Sequence, residues 1–450
     1  MRKMLRCRRG SVAFATVAAM VPLVGVLALG TEAGSWYVTK QHAQTAADAA
    51  AFSGGLWLAC SQGTGCSDQA SQTLDYRAKE FAAQNAFCDS ADGNAYPGSK
   101  CTTHPSGIAQ AVTVAVAGNF VTATVSQQQP AYLAKILGLS TVNIRAAATA
   151  EVRTLANPCV LTLHDPLSFQ GSPTVQAQNC GLASNSTASG SVSFTGNTGI
   201  DVSKVGSISG QGGCTQTGGN QCSKAITYAP PVPNPLSGLD SAISALKPAD
   251  FPDGACPNPP TTSPIALPAY GSPNKCYYDS FSFQNNKTYN LSGVYFFANG
   301  QINIQGNTTI TGTATLILLP PNFVRASDKG ASLNISGNPT IQITAPASIT
   351  GTQVPTALAS VLNLMSNLLI YDPEPYSKNG ITLTGNSTNY FSGITYVPNT
   401  PVTYQGSTQS TTCTQVIAYA ITLSGNSNFD NSGCSASVKP TSKIVRLVSS

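Results

Sequence analysis

The chain has 450 residues, only 9% of them charged, against about a quarter in ordinary soluble proteins. Its 23 Lys+Arg and 18 Asp+Glu give a net charge of +5. Arg2, Lys3, Arg6, Arg8 and Arg9 all precede Ser11, so the rest is neutral overall, which argues against a basic face for nucleic acid. Such low charge and only three histidines argue against a cytosolic enzyme, and the length predicts two or three domains.

Residues 11–30 carry no charge. Twenty residues of helix at about 1.5 Å each span roughly 30 Å, the thickness of a bilayer core. The basic, acid-free stretch in front predicts a single-pass anchor with its N-terminus inside. Trp36 and Tyr37 follow the apolar run, where amphipathic rings favour the headgroup layer. Pro22 predicts a bend. The alternative is a cleaved secretory signal ending at Ala28-Leu29-Gly30. Against it stand the length of the run and the Ala-rich helical sequence of residues 40–52, for which Gly54-Gly55 reads as the stop.

Arg9-Gly10, the apolar span, Glu32, Gly34, Tyr37 and the block Gln44-Thr45-Ala46-Ala47-Asp48-Ala49-Ala50 resemble the N-terminal module of the TadG-like (TadE/G-like) proteins of Flp (tight adherence, Tad) pilus assembly. The likeness covers about fifty residues and extends more weakly to about residue 153. Glu32 stands where the family usually has Asp. Ala15 occupies the place, five residues after Gly10, where a prepilin needs Glu, so the chain resembles the uncleaved, anchored members. The resemblance implies a structural or assembly role in a Flp pilus or in surface adhesion. It implies a place in the bacterial inner membrane, with the C-terminal region in the periplasm or at the cell surface. Other pilus-assembly proteins are the implied partners. Asp48 is read as capping a turn or pairing with a partner subunit. The small face Ala43, Ala46, Ala47 and Ala50 allows close helix packing or is plain helix filler.

Of thirteen cysteines, Cys7 lies on the cytoplasmic side of the predicted span. The other twelve fall as near neighbours and suit an oxidising compartment. Short loops favour Cys60–Cys66, Cys88–Cys101, Cys159–Cys180, Cys214–Cys222, Cys256–Cys276 and Cys413–Cys434, although spacing alone does not fix connectivity.

The predicted fold is mainly β: an N-terminal segment 1–55 with the transmembrane helix, a small α+β domain over 56–154, and a right-handed parallel β-helix-like solenoid over 155–450. Within 56–154 we expect a helix over 69–87 with Leu74, Ala78, Phe81 and Phe87 on one face. A hairpin of 108–116 and 120–125 turns at Gly118-Asn119, a short helix follows Pro130, and a last strand covers 141–153. Beyond residue 157 one phrase recurs: LSFQGSPTV at 167, VSFTGNTGI at 192, INIQGNTTI at 302, LNISGNPTI at 333, ITLTGNSTNY at 381 and ITLSGNSNF at 421. A strand, a Gly-Asn corner and a second strand suit stacked coils with Asn ladders. A sandwich of hairpins with Gly-Asn turns is the alternative. Residues 229–274, dense in proline, read as an extended excursion with one or two helical turns at Leu239–Leu246, its end stapled back by Cys256–Cys276. Residues 357–369 read as a helix packed on the side or edge of the solenoid, with a partner-binding face as the alternative. The tail 443–448 reads as a strand closing its end.

No enzymatic site, cofactor or metal is expected. Residues 155–450 hold ten acidic residues, and the one close pair, Asp372 and Glu374 near Lys378, reads as a rigid surface loop between prolines. His42, His104 and His164 read as solvated side chains. The Gly-rich 210–220 lacks the Lys of a phosphate loop and reads as a loop closed by Cys214–Cys222. The competing function class is a carbohydrate-binding, less readily carbohydrate-cleaving, β-helix whose partner is a surface glycan. Aromatics and carboxylates converging in one groove would mark it.

Overall fold

The computed structural model describes residues 8–62, 72–101, 108–196, 200–259, 262–373, 380–383, 389–405, 411–440 and 443–449. The protein is mainly β, with one long apolar helix at its N-terminus. It divides into two compact units, residues 1–154 with 443–450 and residues 155–442.

The first unit opens with α1, Arg8–Ser61, a single helix that continues through Pro22. It also continues through Gly54-Gly55, so the expected stop there is corrected. Both glycines are packed against other elements, and that close packing, not chain termination, accounts for them. The helix α2 covers Leu74–Gln84, shorter than expected, with the Thr73 side chain accepting from the Tyr76 N–H as its cap. Residues 69–71 of that expectation lie outside the described residues. Ala78, Glu80, Ala82 and Ala83 are its buried positions, while Phe81 is exposed. Two adjacent alanines let the helix approach its neighbours on a face next to the one the large residues suggested.

The sheet of this unit joins β1 (Ala109–Ala117), β2 (Phe120–Pro130) and β3 (Thr141–Thr154), antiparallel, with Ala117 opposite Phe120 at the Gly118-Asn119 turn. The short helix after Pro130 is one 3-10 turn, Ala134–Leu137, ended by Gly138 at a φ of 89°. A fourth strand, Lys443–Ser449, pairs antiparallel with β3. The tail therefore completes the first sheet and does not close the end of the second unit. The second unit is an insertion between the third and fourth strands of the first.

In the second unit every pairing between named strands is parallel among the described residues. Hairpins pair antiparallel, so these strands are not joined as hairpins. The recurring phrases lie against each other in phase: Leu167 opposite Val192, Ile302 opposite Leu333, Ile421 opposite Leu167. Their alternate apolar residues fill one interior, where Phe169 stacks on Phe194 at 4.6 Å. Gly196 follows from that stacking, since a Cβ there would lie 1.8 Å from the Gly171 carbonyl oxygen. The corner asparagines bond between layers, although not simply to one another. Asn426 accepts from the Thr174 N–H, the Asn307 N–H donates to Asn285, and direct Asn side-chain bonds run from Asn307 to Asn286 at 3.4 Å and from Asn334 to Asn303 at 2.8 Å. Asn197 and Asn386 lie outside the described residues.

The stack does not follow chain order. It begins with Ile265–Ala266 and Tyr278–Asp279 beside Thr288–Ala298. Thr309–Leu318 is next. Thr340–Thr344 and Leu368–Tyr371 then lie end to end between Thr309–Leu318 and Tyr390–Tyr404, so these four strands close a ring of parallel pairings. After Thr414–Leu423 the stack passes back to Pro158–Thr162 and Leu167–Phe169. It goes on through Thr174–Ser184 and Asp201–Gly210 to Ala225–Ile226.

Consecutive strands Ala225–Ile226 and Ile265–Ala266 thus lie at opposite edges, and the proline-rich stretch is the connection between them. The expected helical turns and the Cys256–Cys276 staple are present, and the stretch is packed rather than merely extended. Val232, Leu236, Leu239, Ile243, Leu246 and Phe251 are buried in a second apolar cluster along the side of the stack. Its helix α3, Ser237–Ser244, places Asp240 where Tyr371 and Tyr396 donate to it at 3.1 and 2.7 Å. The helix expected over 357–369 is a 3-10 helix, Thr356–Leu364, followed by the strand Leu368–Tyr371. Leu358 is its one buried residue, because a three-residue period does not hold an i, i+4 stripe on one face.

Candidate functional site: where the apolar helix meets the first sheet

α1 rises about 1.5 Å per residue and changes character along its length. Val17, Met20, Leu23, Val24, Val26 and Leu27 are each at least 60% exposed, so among the described side chains this part of the helix is bare apolar surface. Ala43, Ala46, Ala47, Ala50 and Ala51 are fully buried against Ala146, Ala148 and Ala150 of β3 and Ala123 and Val125 of β2. The i, i+3, i+4, i+7 spacing puts these alanines on one face. Small residues on both sides let helix and sheet backbones approach closely, so the Ala block is a packing surface and not filler. Gly54 and Gly55 extend it: a Cβ would meet Val121 at 2.9 Å or Val445 at 2.7 Å. Gly34 has nothing within 4 Å of such a Cβ, and Tyr37 is 66% exposed. Gly10 lies in the first turns of α1.

Polar bonds latch the helix where its bare half ends. The Glu32 carboxylate accepts from the backbone N–H groups of Tyr132 at 2.5 Å, Leu133 at 3.1 Å and Ala134 at 2.8 Å. Burial pushes its pKa up, but the hydrogen bonds from Ala134, Tyr132 and Leu133 outweigh this and leave it below the ordinary glutamate value. The Thr39 hydroxyl donates to Gln129 at 3.1 Å, and the Lys40 ammonium donates to the Arg145 carbonyl. Gln44 donates to Asp48 one turn on and to the Ala147 carbonyl, at 3.0 and 3.2 Å. Asp48 thus serves within its own helix, and neighbouring Ala49 is half-buried.

The other sequence candidates are dispersed. Disulfides join Cys88–Cys101, Cys159–Cys180, Cys214–Cys222, Cys256–Cys276 and Cys413–Cys434. Cys60 is also disulfide-bonded, while Cys7 and Cys66 lie outside the described residues. Asp372 is fully buried, which corrects its reading as a surface group: its N–H donates to the Tyr396 carbonyl, in line with the strand before it. Glu374, Lys378 and His104 lie outside the described residues. His42 is exposed; His164 is exposed too, bonded to Asp165 at 2.9 Å and stacked on Tyr419. A polar hollow of about 560 Å³ is lined by residues including Asn299, Gln301, Arg325, Asp328 and Lys329, and no aromatic ring.

The sequence placed a short helix after Pro130 but gave no sign that the Glu32 carboxylate grips its backbone, 100 residues away.

Two family models match the chain. One, described as putative Flp pilus-assembly TadE/G-like, covers residues 10–59. The other, described as putative Tad-like Flp pilus-assembly, covers residues 59–150. No curated protein and no solved structure matches.

Proposed function

From the premise that residues 10–59 are TadE/G-like and residues 59–150 Tad-like, both of Flp pilus-assembly families, we propose that the chain is an anchored structural component of a Flp (Tad) type pilus or surface-attachment system. The observation that carries this reading is the two-part α1. Its first half is long and apolar enough to cross a membrane, and its second half is packed by an alanine stripe onto the sheet of the second family region. In our reading the anchor is uncleaved, lies in the inner membrane with its N-terminus inside, and holds both units on the exported side. The basic N-terminal stretch and the disulfides support that orientation. The second unit then acts as a β-helix-like scaffold, supported by its all-parallel pairing and in-phase phrases. Its role is contact with other pilus-assembly proteins, not chemistry.

The test is affinity capture of the full chain from detergent-solubilised membranes. Pilus or secretion-system components should come with it. Recovery of glycans alone would replace this reading with the carbohydrate-binding one.

A further inference from the structure

The loop between β2 and β3 is held at a particular height on α1. Glu32 lies two residues past Gly30, the end of the uncharged run, and thus about 3 Å further along the helix axis. A headgroup layer is roughly 5–7 Å deep on each side of the hydrocarbon. Three backbone N–H groups of Tyr132, Leu133 and Ala134 close on the Glu32 carboxylate, so the loop starts inside that layer. Tyr132 is 77% exposed, Leu139 51% and Leu133 37%. Lys135 stands between them, exposed, and residues 131–140 contain no acidic side chain. Trp36 and Tyr37 lie one turn further out on the helix. An aromatic ring, aliphatic side chains and one cation beside a bare apolar helix form the pattern that favours a bilayer interface.

We propose that residues 131–140 are a second membrane contact, an interfacial loop that rests in the lipid headgroups and sets the tilt and depth of the first unit. The inference depends on α1 being a membrane anchor. The occupant of the apolar surface is lipid because the loop is bonded to α1 at Glu32, directly past the exposed apolar stretch that would itself sit in lipid. Glu32 acts as a positioning residue, since its carboxylate ties the loop to the helix at that level. The opposite end of the same sheet supplies a control. Val116 and Phe120 flank the β1–β2 turn at 50% and 42% exposure. They lie near where Leu58 packs on Val121 and Val152, and Leu58 is about 40 Å along the helix from Glu32.

The test uses the full chain in vesicles of phosphatidylethanolamine and phosphatidylglycerol. A lipid carries a photoactivatable diazirine near its glycerol, and labelled peptides are mapped by mass spectrometry. The expected result is label in residues 11–30 and in residues 131–140, and none at Val116 or Phe120. Tyr132→Asp with Leu139→Asp alters only exposed positions and should abolish loop labelling while residues 11–30 stay labelled. Glu32→Gln should lower loop labelling about twofold or more, because a neutral amide replaces a charge-assisted acceptor. Label in residues 11–30 with none in the loop overturns the proposal and leaves the anchor standing; shielding of the loop by a partner protein would give that result. Absence of label from both segments overturns the anchor itself.

Discussion

Glu32 and the glycines of α1 show how single residues set the helix–sheet junction. A glutamate whose folded pKa lies below its unfolded value adds stability above the unfolded pKa and loses it as pH falls through the folded one. Amide protection at Tyr132, Leu133 and Ala134 should therefore persist below the ordinary carboxylate range and then collapse, as read by hydrogen exchange. In Glu32→Gln that acid step should be absent. Glycine in a helix interior is ordinarily worse than alanine by about 1 kcal/mol. Gly34→Ala, with open space around it, should follow that rule and firm the helix. Gly55→Ala should do the reverse, by about 1–3 kcal/mol, because its Cβ would meet Val445 and Ala150 at 2.7 and 3.1 Å. Exchange rates of residues 40–58 in the two variants check both signs. The sequence showed where these small residues stand, but whether a glycine ends a helix or admits a neighbour depends on a strand nearly 400 residues away.

At the scale of elements, the proline-rich connection carries more order than its composition announces. Burial raises the pKa of Asp240 above the ordinary aspartate value, against the lowering effect of hydrogen bonds from Tyr396 and Tyr371. An acid whose folded pKa is raised stabilises below its unfolded pKa and loses that contribution as pH rises through the folded one. Exchange protection of residues 236–251 should thus be greater in mild acid than at neutrality, and Asp240→Asn should remove the dependence. Tyr396→Phe strips a donor from Asp240 and a partner from Asn234, a loss of about 1–3 kcal/mol in denaturant unfolding of the second unit. The missed signal lies in the strands this connection covers. Residues 294–298, 315–319 and 368–371 read VYFFA, TLILL and LLIY, continuous rather than alternating. Strands buried on both faces have that pattern, so an outer layer was implied wherever alternation failed.

For the molecule as a whole, the decisive feature is the seam where late strands meet early ones. Val416 pairs with Val160, and the buried Gln415 amide donates to the carbonyls of Pro158 and Val438. Cys159–Cys180 and Cys413–Cys434 staple the chain on either side of it. Replacing Cys159 and Cys180 together by alanine should destabilise the second unit by about 2–4 kcal/mol. Under denaturant, exchange at residues 158–162 and 414–418 should rise together, because each strand is the other's edge. Independent behaviour of the two strands would contradict the seam.

The sequence by itself determined the apolar span and its basic front, the mainly β character of the rest, the hairpin at Gly118-Asn119 and the recurring phrase. All of these are local patterns of charge, hydrophobicity and turn chemistry, readable within a window of a few residues. Only the tertiary structure decided the order of the stack, the return of the last strand to the first sheet, the role of the proline-rich connection and the grip of Glu32 on a loop 100 residues away. The physical reason is that parallel partners need not be neighbours in the chain. Residues such as Leu167 and Ile421 carry the same alternation whichever copy of the phrase they meet. Register between copies is set by which side chains fill a shared interior, and that selection exists only once the strands have assembled.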